Sequence, residues 1–265
     1  MAQQMANEQH LDLLKQGARI WQEWRTEHPE EKPDLCEADL SEMDLHCMDL
    51  SEANLCKAIL RGADLHEANL SEAHLGKAIL HNASLYRANL IHARLGRADL
   101  LEAQLNEANL VLAQLDRADL KKVNLSKACL LMANLRGATL QEANLQGANF
   151  CEATLDGADL SKANLSEARL RKARVRGADL SKAVLSGADM RQINLSGSYL
   201  YATDLSDANL SRASFFGARL IRVALYKANL QGARFSGAEL HGVNLNGIDL
   251  DTVVLSEHAL VPLKR

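Results

Sequence analysis

From Leu35 to Leu260 every fifth residue is leucine, and the departures, Phe150, Val175, Met190, Phe215 and Phe235, are themselves apolar. Two places before each stands, in most units from Ala38 onward, an alanine, and the residue between is mostly Asp or Asn, so the unit reads Ala-(Asp/Asn)-Leu-x-x. An α-helix repeats its apolar face about every 3.6 residues and a strand every second residue, so a strict period of five fits neither. Fixed self-similarity of this kind belongs to solenoids, whose units bury their apolar side only by stacking on neighbours. The register predicts one continuous domain over residues 34–260. Before it, Leu11, Leu14, Ala18, Trp21 and Trp24 follow helical spacing up to Pro29 and Pro33, which predicts one amphipathic helix with a connector over residues 1–33. A solenoid exposes apolar groups and strand edges at its ends, so this helix is expected to cap the first coil. Docking of the helix into a partner's groove is the other reading. Residues 261–265 are a tail, and Leu260, Val261, Pro262 and Leu263 at this end are expected to fold over the last coil or to pair two molecules end to end.

The stretches Ala38-Asp39-Leu40-Ser41-Glu42, Ala98-Asp99-Leu100 and Ala158-Asp159-Leu160 resemble the pentapeptide-repeat family, and the resemblance spans residues 34–260. It implies an all-β fold, a right-handed quadrilateral parallel β-helix in which four pentapeptides form the sides of one coil and residues twenty apart stack. On that picture Leu and Ala point inward, since a narrow square interior takes one large and one small side chain per face. The Asp or Asn between them is placed to accept hydrogen bonds from turn amides. With coils about 4.8 Å apart, some eleven coils give a rod on the order of 50 Å long. Similar leading helices occur in cyanobacterial pentapeptide proteins. Larger residues at the Ala position gather at Met43 and Met48 and again at Ile193, Thr203, Val223, Val243, Ile248 and Val253, which predicts less regular ends, and His258 marks the last coil.

Composition narrows this picture. With 4 Phe, 4 Tyr and 2 Trp in 265 residues the core is aliphatic. A net charge of -4, from 30 basic and 34 acidic residues, indicates neither a strongly basic nucleic-acid binder nor a highly acidic protein. Polar positions interrupt every pentapeptide, so no apolar run is long enough for a membrane span, and the first residues lack a basic region leading into an apolar core. The expectation is a cytoplasmic protein. The 5 cysteines argue against a disulfide framework and are expected to be mostly surface thiols, although Cys36 and Cys56 stack and oxidation could join them.

A twenty-residue coil turns sequence into surface columns. Asp116, Arg136, Asp156 and Arg176 stack with alternating sign, a stabilising arrangement. Gly137, Gly157, Gly177, Gly197, Gly217 and Gly237 form an unbroken column, read as turn residues at positive φ or as a smooth docking strip. Ile91, Val111, Leu131 and Cys151 stack outward, with Leu112 and Met132 beside them and Cys129 adjacent, where other coils carry Ser, Glu, Lys or Gln. Farther along lie Arg169, Arg171, Lys172, Arg174, Arg176 and Arg191. Apolar groups running into basic ones form the candidate partner surface, against the plainer reading of solvated Arg stems on a drifting outer face. His46, Cys47 and His66 are the best cluster for a metal, but they sit on a convex corner, and an uninterrupted rod offers no cleft for a catalytic site. No catalytic residue, cofactor or metal is assigned.

These observations favour a non-enzymatic scaffold or protein-binding module, possessing an unidentified protein partner and acting through an outer face. The family resemblance adds an alternative, a DNA-mimicking modulator of DNA gyrase. Asp99, Asp119, Asp159 and Asp179 line a column for such mimicry, yet Lys57, Lys77, Arg97 and Arg117 line one two residues away and offset its field. A structural or self-associating rod, dimeric through an end or through the apolar face, is the third reading. Direct nucleic-acid binding through Arg169 to Arg191 is disfavoured by the lack of interleaved aromatics.

Overall fold

The computed structural model describes residues 6–245 together with Ile248 and Val253. The expected roles of His258, Leu260, Val261, Pro262 and Leu263, and with them the boundary at residue 260, lie outside the described residues. Within them, parallel bridges join residues twenty apart without a slip, from Asp34 with Asn54 to Ala224 with Asn244. Four pentapeptides therefore complete one turn of the backbone. Ladders lengthen into named strands only late in the chain, where β1 (Tyr199–Tyr201), β2 (Arg219–Ile221) and β3 (Glu239–His241) pair in parallel and in order.

One unit shows why five residues suffice. The amide of Asp99 donates to Ala78 O of the previous coil at 2.9 Å, while those of Leu100 and Glu102 donate to Asp119 O and Lys121 O of the next, at 2.7 and 3.1 Å. The amide of Leu101 donates to Asp99 Oδ1 at 3.2 Å, and that of Ala103 closes the turn on Leu100 O at 3.0 Å. Every amide of the unit is thus satisfied, three by neighbouring coils, one by the turn and one by the Asp side chain. Asn side chains at this position add a ladder of their own, as where Asn89 Nδ2 donates to Asn69 Oδ1 at 2.9 Å.

The turn has one demanding feature. The second residue after the central leucine adopts positive φ, and non-glycine residues hold it from 52° at Ala202 to 61° at Glu107. The closing hydrogen bond and the positive φ together match a type II turn. Gly137 shares the conformation at 66°, as its column was expected to, but Glu, Lys and Arg adopt it at other corners, so φ alone does not require glycine there.

Inside, the leucines and alanines are buried in one contiguous core. Polar residues at the alanine position are accommodated by satisfying them: the buried hydroxyls of Ser198 and Thr203 donate to Val175 O and Leu180 O, at 2.5 and 2.8 Å.

Before the coils, the predicted single helix is two, α1 (Glu8–Lys15) and α2 (Ala18–Glu27), broken at Gly17, whose φ of 96° no helix contains. Leu14, Trp21 and Trp24 are buried as their spacing implied. Trp21 Nε1 donates to Asp49 O at 2.8 Å. Arg25 is only 8% exposed because it donates to Asp49 Oδ2, Glu31 O, Ser51 O and Ser51 Oγ. His10, also buried, accepts from the Asp34 amide through Nδ1 and meets Glu31 Oε1 through Nε2, both at 3.0 Å. These polar bonds tie the helices to the strand positions beneath them. The cysteines depart from expectation: Cys36 and Cys151 are buried, Cys56 and Cys129 are half-buried, and Cys47 alone is exposed. Cys36 Sγ donates to Cys56 O at 3.2 Å, and burial pushes its thiol above the ordinary range, which disfavours the thiolate that oxidation needs.

Two substitutions test this geometry. Ala118→Leu, filling a closed interior, is expected to destabilise by about 1–3 kcal/mol or more, and Lys122→Leu, on an exposed corner, by less than about 0.5 kcal/mol. Equal losses in thermal unfolding would reverse the inward and outward assignment. Val184 interrupts the Asx ladder between Asn164 and Asp204, which accept the Ser166 and Ser206 amides at 3.1 and 3.0 Å. Val184→Asn supplies the missing acceptor for the Ser186 amide and is expected to raise stability by about 0.5–1 kcal/mol, read as a higher unfolding midpoint.

Candidate functional site

The pentapeptides centred on Leu50, Leu70 and their successors to Leu230 form one side of the coil, and the residue after each centre projects outward from it. This places Ile91, Val111 and Leu131 in one column, half-buried, with Leu112 beside them half-buried and Met132 50% exposed. Cys151 does not share their exposure; it is 6% exposed, with Sγ turned towards Arg169 O, so the apolar column ends at Leu131. Cys129 is half-buried and stands in the Asx ladder, its Sγ accepting from Asn149 Nδ2 at 3.7 Å.

Ile91 and Val111 are held by the same Asx-bonded turns as elsewhere, whereas Leu131 follows Cys129, which has no side-chain oxygen. Asn89 and Asn109 each accept, at 3.3 Å, the amide of the apolar residue two places on, Ile91 and Val111. Apolar side chains here therefore contribute nothing to the turn itself. They are free to differ, and their clustering is a property of the surface.

Arg169, Arg171, Lys172, Arg174, Arg176 and Arg191 are all exposed, but the cluster is less cationic than its sequence suggests. Arg174 and Arg176 both reach Asp156 Oδ2 at 2.7 Å, Arg191 reaches Asp189 at 2.7 Å, and Lys172 reaches Glu152 at 3.5 Å. Arg174 and Arg176 lie round the corner from Arg171, where with Arg136 and Asp156 they border a shallow groove of about 670 Å³. The alternating column therefore pairs at Asp156 and Arg176 as expected. Sequence shows which residues stack but not which rotamer each long side chain takes, and those rotamers bring three carboxylates to four of the six cations.

Burial pushes the carboxyls of Asp49 and Asp156 upward, but donated bonds outweigh it, from Ser51 and Arg25 in the first and from Arg176 and Arg174 in the second, and both lie below the usual range. The hydrogen bonds from Arg191 hold Asp189 low against its partial burial.

The remaining candidates are accounted for by local bonding. His46 and His66 do stack, with ring centroids 5.0 Å apart, but each commits Nδ1 to its own Asp44 or Asp64, and among the described residues no group of three His, Cys, Asp or Glu side chains is arranged to hold a metal ion. Asp99, Asp119, Asp159 and Asp179 each accept the amide two residues on. Among the described residues no helix is long and apolar enough to cross a membrane. Sequence reasoning passed over Phe216 and Tyr226, 64% and 60% exposed; aromatic residues directly after the central position, Phe215 and Leu225, were the available signal.

Eight copies of the pentapeptide-repeats family model match between residues 34 and 256. Among solved structures, the chain is similar to HetL, a pentapeptide repeat protein involved in heterocyst differentiation regulation from the cyanobacterium Nostoc sp. strain PCC 7120, at 32% identity over 82% of this chain and 94% of that one, with a TM-score of 0.75. A pentapeptide repeat protein from the Arabidopsis thaliana thylakoid lumen is 32% identical over 40% of this chain and 67% of that one, with a TM-score of 0.26. QnrB1, a plasmid-mediated fluoroquinolone resistance protein, is 17% identical over 78% of this chain and 91% of that one, with a TM-score of 0.39. A search among curated proteins finds no match.

The depressed carboxyls give a pH prediction. Their folded values lie below the unfolded value of about 3.9, so their contribution to stability is fully present above that pH and is lost as pH falls through the folded values. The unfolding midpoint is expected to hold from neutral pH to about pH 5 and to drop below about pH 4. In Asp156→Asn it should be lower at neutral pH and should fall less in acid.

Proposed function

The chain belongs to the pentapeptide-repeat family, with its right-handed β-helix, and on that basis we propose that it is a non-enzymatic, rigid protein-binding module with a regulatory role. The family and its structural neighbours are generally non-enzymatic structural or binding proteins. The observation that carries the reading is the apolar cluster of half-buried Ile91, Val111, Leu112 and Leu131 with exposed Met132, on three successive coils at outward positions that most other coils of this side fill with polar residues. Regulation is proposed from the similarity to HetL, whose described part is in heterocyst differentiation.

The same proposal takes residues 34–260 as a rod of about eleven coils. Residues 1–33 act as its cap, as the bonds of Trp21 and Arg25 to Asp49 support, and residues 261–265 are its tail. A cytoplasmic setting suits its free cysteines. DNA gyrase as partner draws less support. The aspartates of the proposed mimic column are engaged by turn amides, and a likeness at the level of QnrB1 adds no argument.

Binding through this face is tested by capture from lysate on the intact protein beside Leu112→Glu with Met132→Glu. The proposal expects at least one protein enriched on the intact bait and lost from the variant, with unfolding midpoints alike. Identical captured sets would remove this face as the binding site.

A further inference from the structure

The apolar face is also ordered by charge along its length. In the column of residues two after the centre, successive coils carry Glu72, His92, Leu112, Met132, Glu152 and Lys172. The apolar pair falls midway between the carboxylate end and the cation end. In the neighbouring column Val111 and Leu131 straddle the same midpoint, with Arg171 at the cation end.

Consider a two-fold axis lying in the surface, across the rod, between the coils of Leu112 and Met132. It sets a second copy antiparallel and brings each column against itself in reverse order. Leu112 then faces the second copy's Met132, Val111 faces its Leu131, His92 faces its Glu152 and Glu72 faces its Lys172. Each contact occurs twice, as an isologous interface requires. A shift of half a coil, moving the axis onto Leu112, sets Glu72 against the second copy's Glu152 while bringing Lys172 to its Glu52; a shift onto Met132 loses the Glu72–Lys172 pair and sets Glu72 against its Gln192. Only the register between them pairs Glu72 with Lys172 and sets no carboxylate against a carboxylate in this column.

We propose that this face is a self-complementary interface through which two copies of the chain pair side by side and antiparallel. The proposal rests on the same face as the function above and commits it to one occupant. Charges in the chain itself favour that occupant. Among the described residues Glu72 and Arg171 make no salt bridge within the chain, and Lys172 holds Glu152 only at 3.5 Å. The eight coils from Ser51 to Arg191 give a face about 34 Å long, so the ~800 Å² per partner of a standard interface takes its full length and both corners, and the pairing is expected to be concentration-dependent.

Charge exchange tests it without threatening the fold, because the positive-φ position occupied by Glu72 and Lys172 accepts either residue elsewhere, as at Glu52 and Lys57. Sedimentation velocity across a hundredfold range of concentration would compare the intact chain with Glu72→Lys, Lys172→Glu and the two together. The expected result is a reversible dimer that each single reversal weakens by about tenfold and that the double variant restores to within about threefold of the original. Leu112→Glu with Met132→Glu should leave only monomer. The proposal is overturned by a chain monomeric throughout, by a dimer indifferent to either reversal or surviving the glutamate pair, or by a double variant no stronger than the singles. Monomer throughout would leave the capture experiment to judge binding of other proteins by this face on its own.

Discussion

Twenty residues must return the backbone to hydrogen-bonding reach of where it began, one coil along, and must do so around an interior wide enough for leucine and alanine only. This closure sets everything else in the molecule. It puts one residue in five at positive φ, assigns three amides of each unit to neighbouring coils, and leaves one amide to be met by an Asp or Asn side chain. Because the interior is closed, added volume has nowhere to go. Because the outer positions carry no part of closure beyond the Asx bond, they are free to carry a surface pattern.

The division between inward and outward positions explains what sequence could and could not disclose. Leu100, Ala98 and Asp99 were legible because their roles recur at a fixed spacing, and each does what its spacing implied. The break between α1 and α2 was not, since Leu14 and Trp21 keep helical phase across Gly17, and a glycine inside a periodic segment carries no unique signal. Burial of Arg25 and His10 escaped for another reason: each is tolerated only because distant residues supply its partners. On the candidate face the columns were legible and the side-chain conformations were not. Hence Cys151 turned inward, and the guanidinium groups of Arg174 and Arg176 proved to be occupied by one carboxylate.

A fold of this kind is shared by proteins with different roles, so function has to be argued from the pattern on the faces. Here the apolar cluster lies on one side, where apart from Cys129 the turn-forming residues of its coils are ordinary and the projecting ones are not. The apolar cluster and its flanking charges are independent features of that side, the first the basis of the proposed binding and the second bearing on the proposed occupant.

The unbroken twenty-residue register also governs which changes in chain length the surface can survive. Loss or gain of twenty residues removes or adds one coil and leaves every column intact, changing only how far apart two features on a face stand. Insertion of five residues would keep the interior satisfied, leucine for leucine, yet would turn everything downstream by one side. The apolar residues and the cations beyond them would then look in different directions. A rod tolerant of such insertions in its core is intolerant of them in any surface pattern that runs over several coils, so length changes in relatives of this chain should be counted in coils wherever a face spans them.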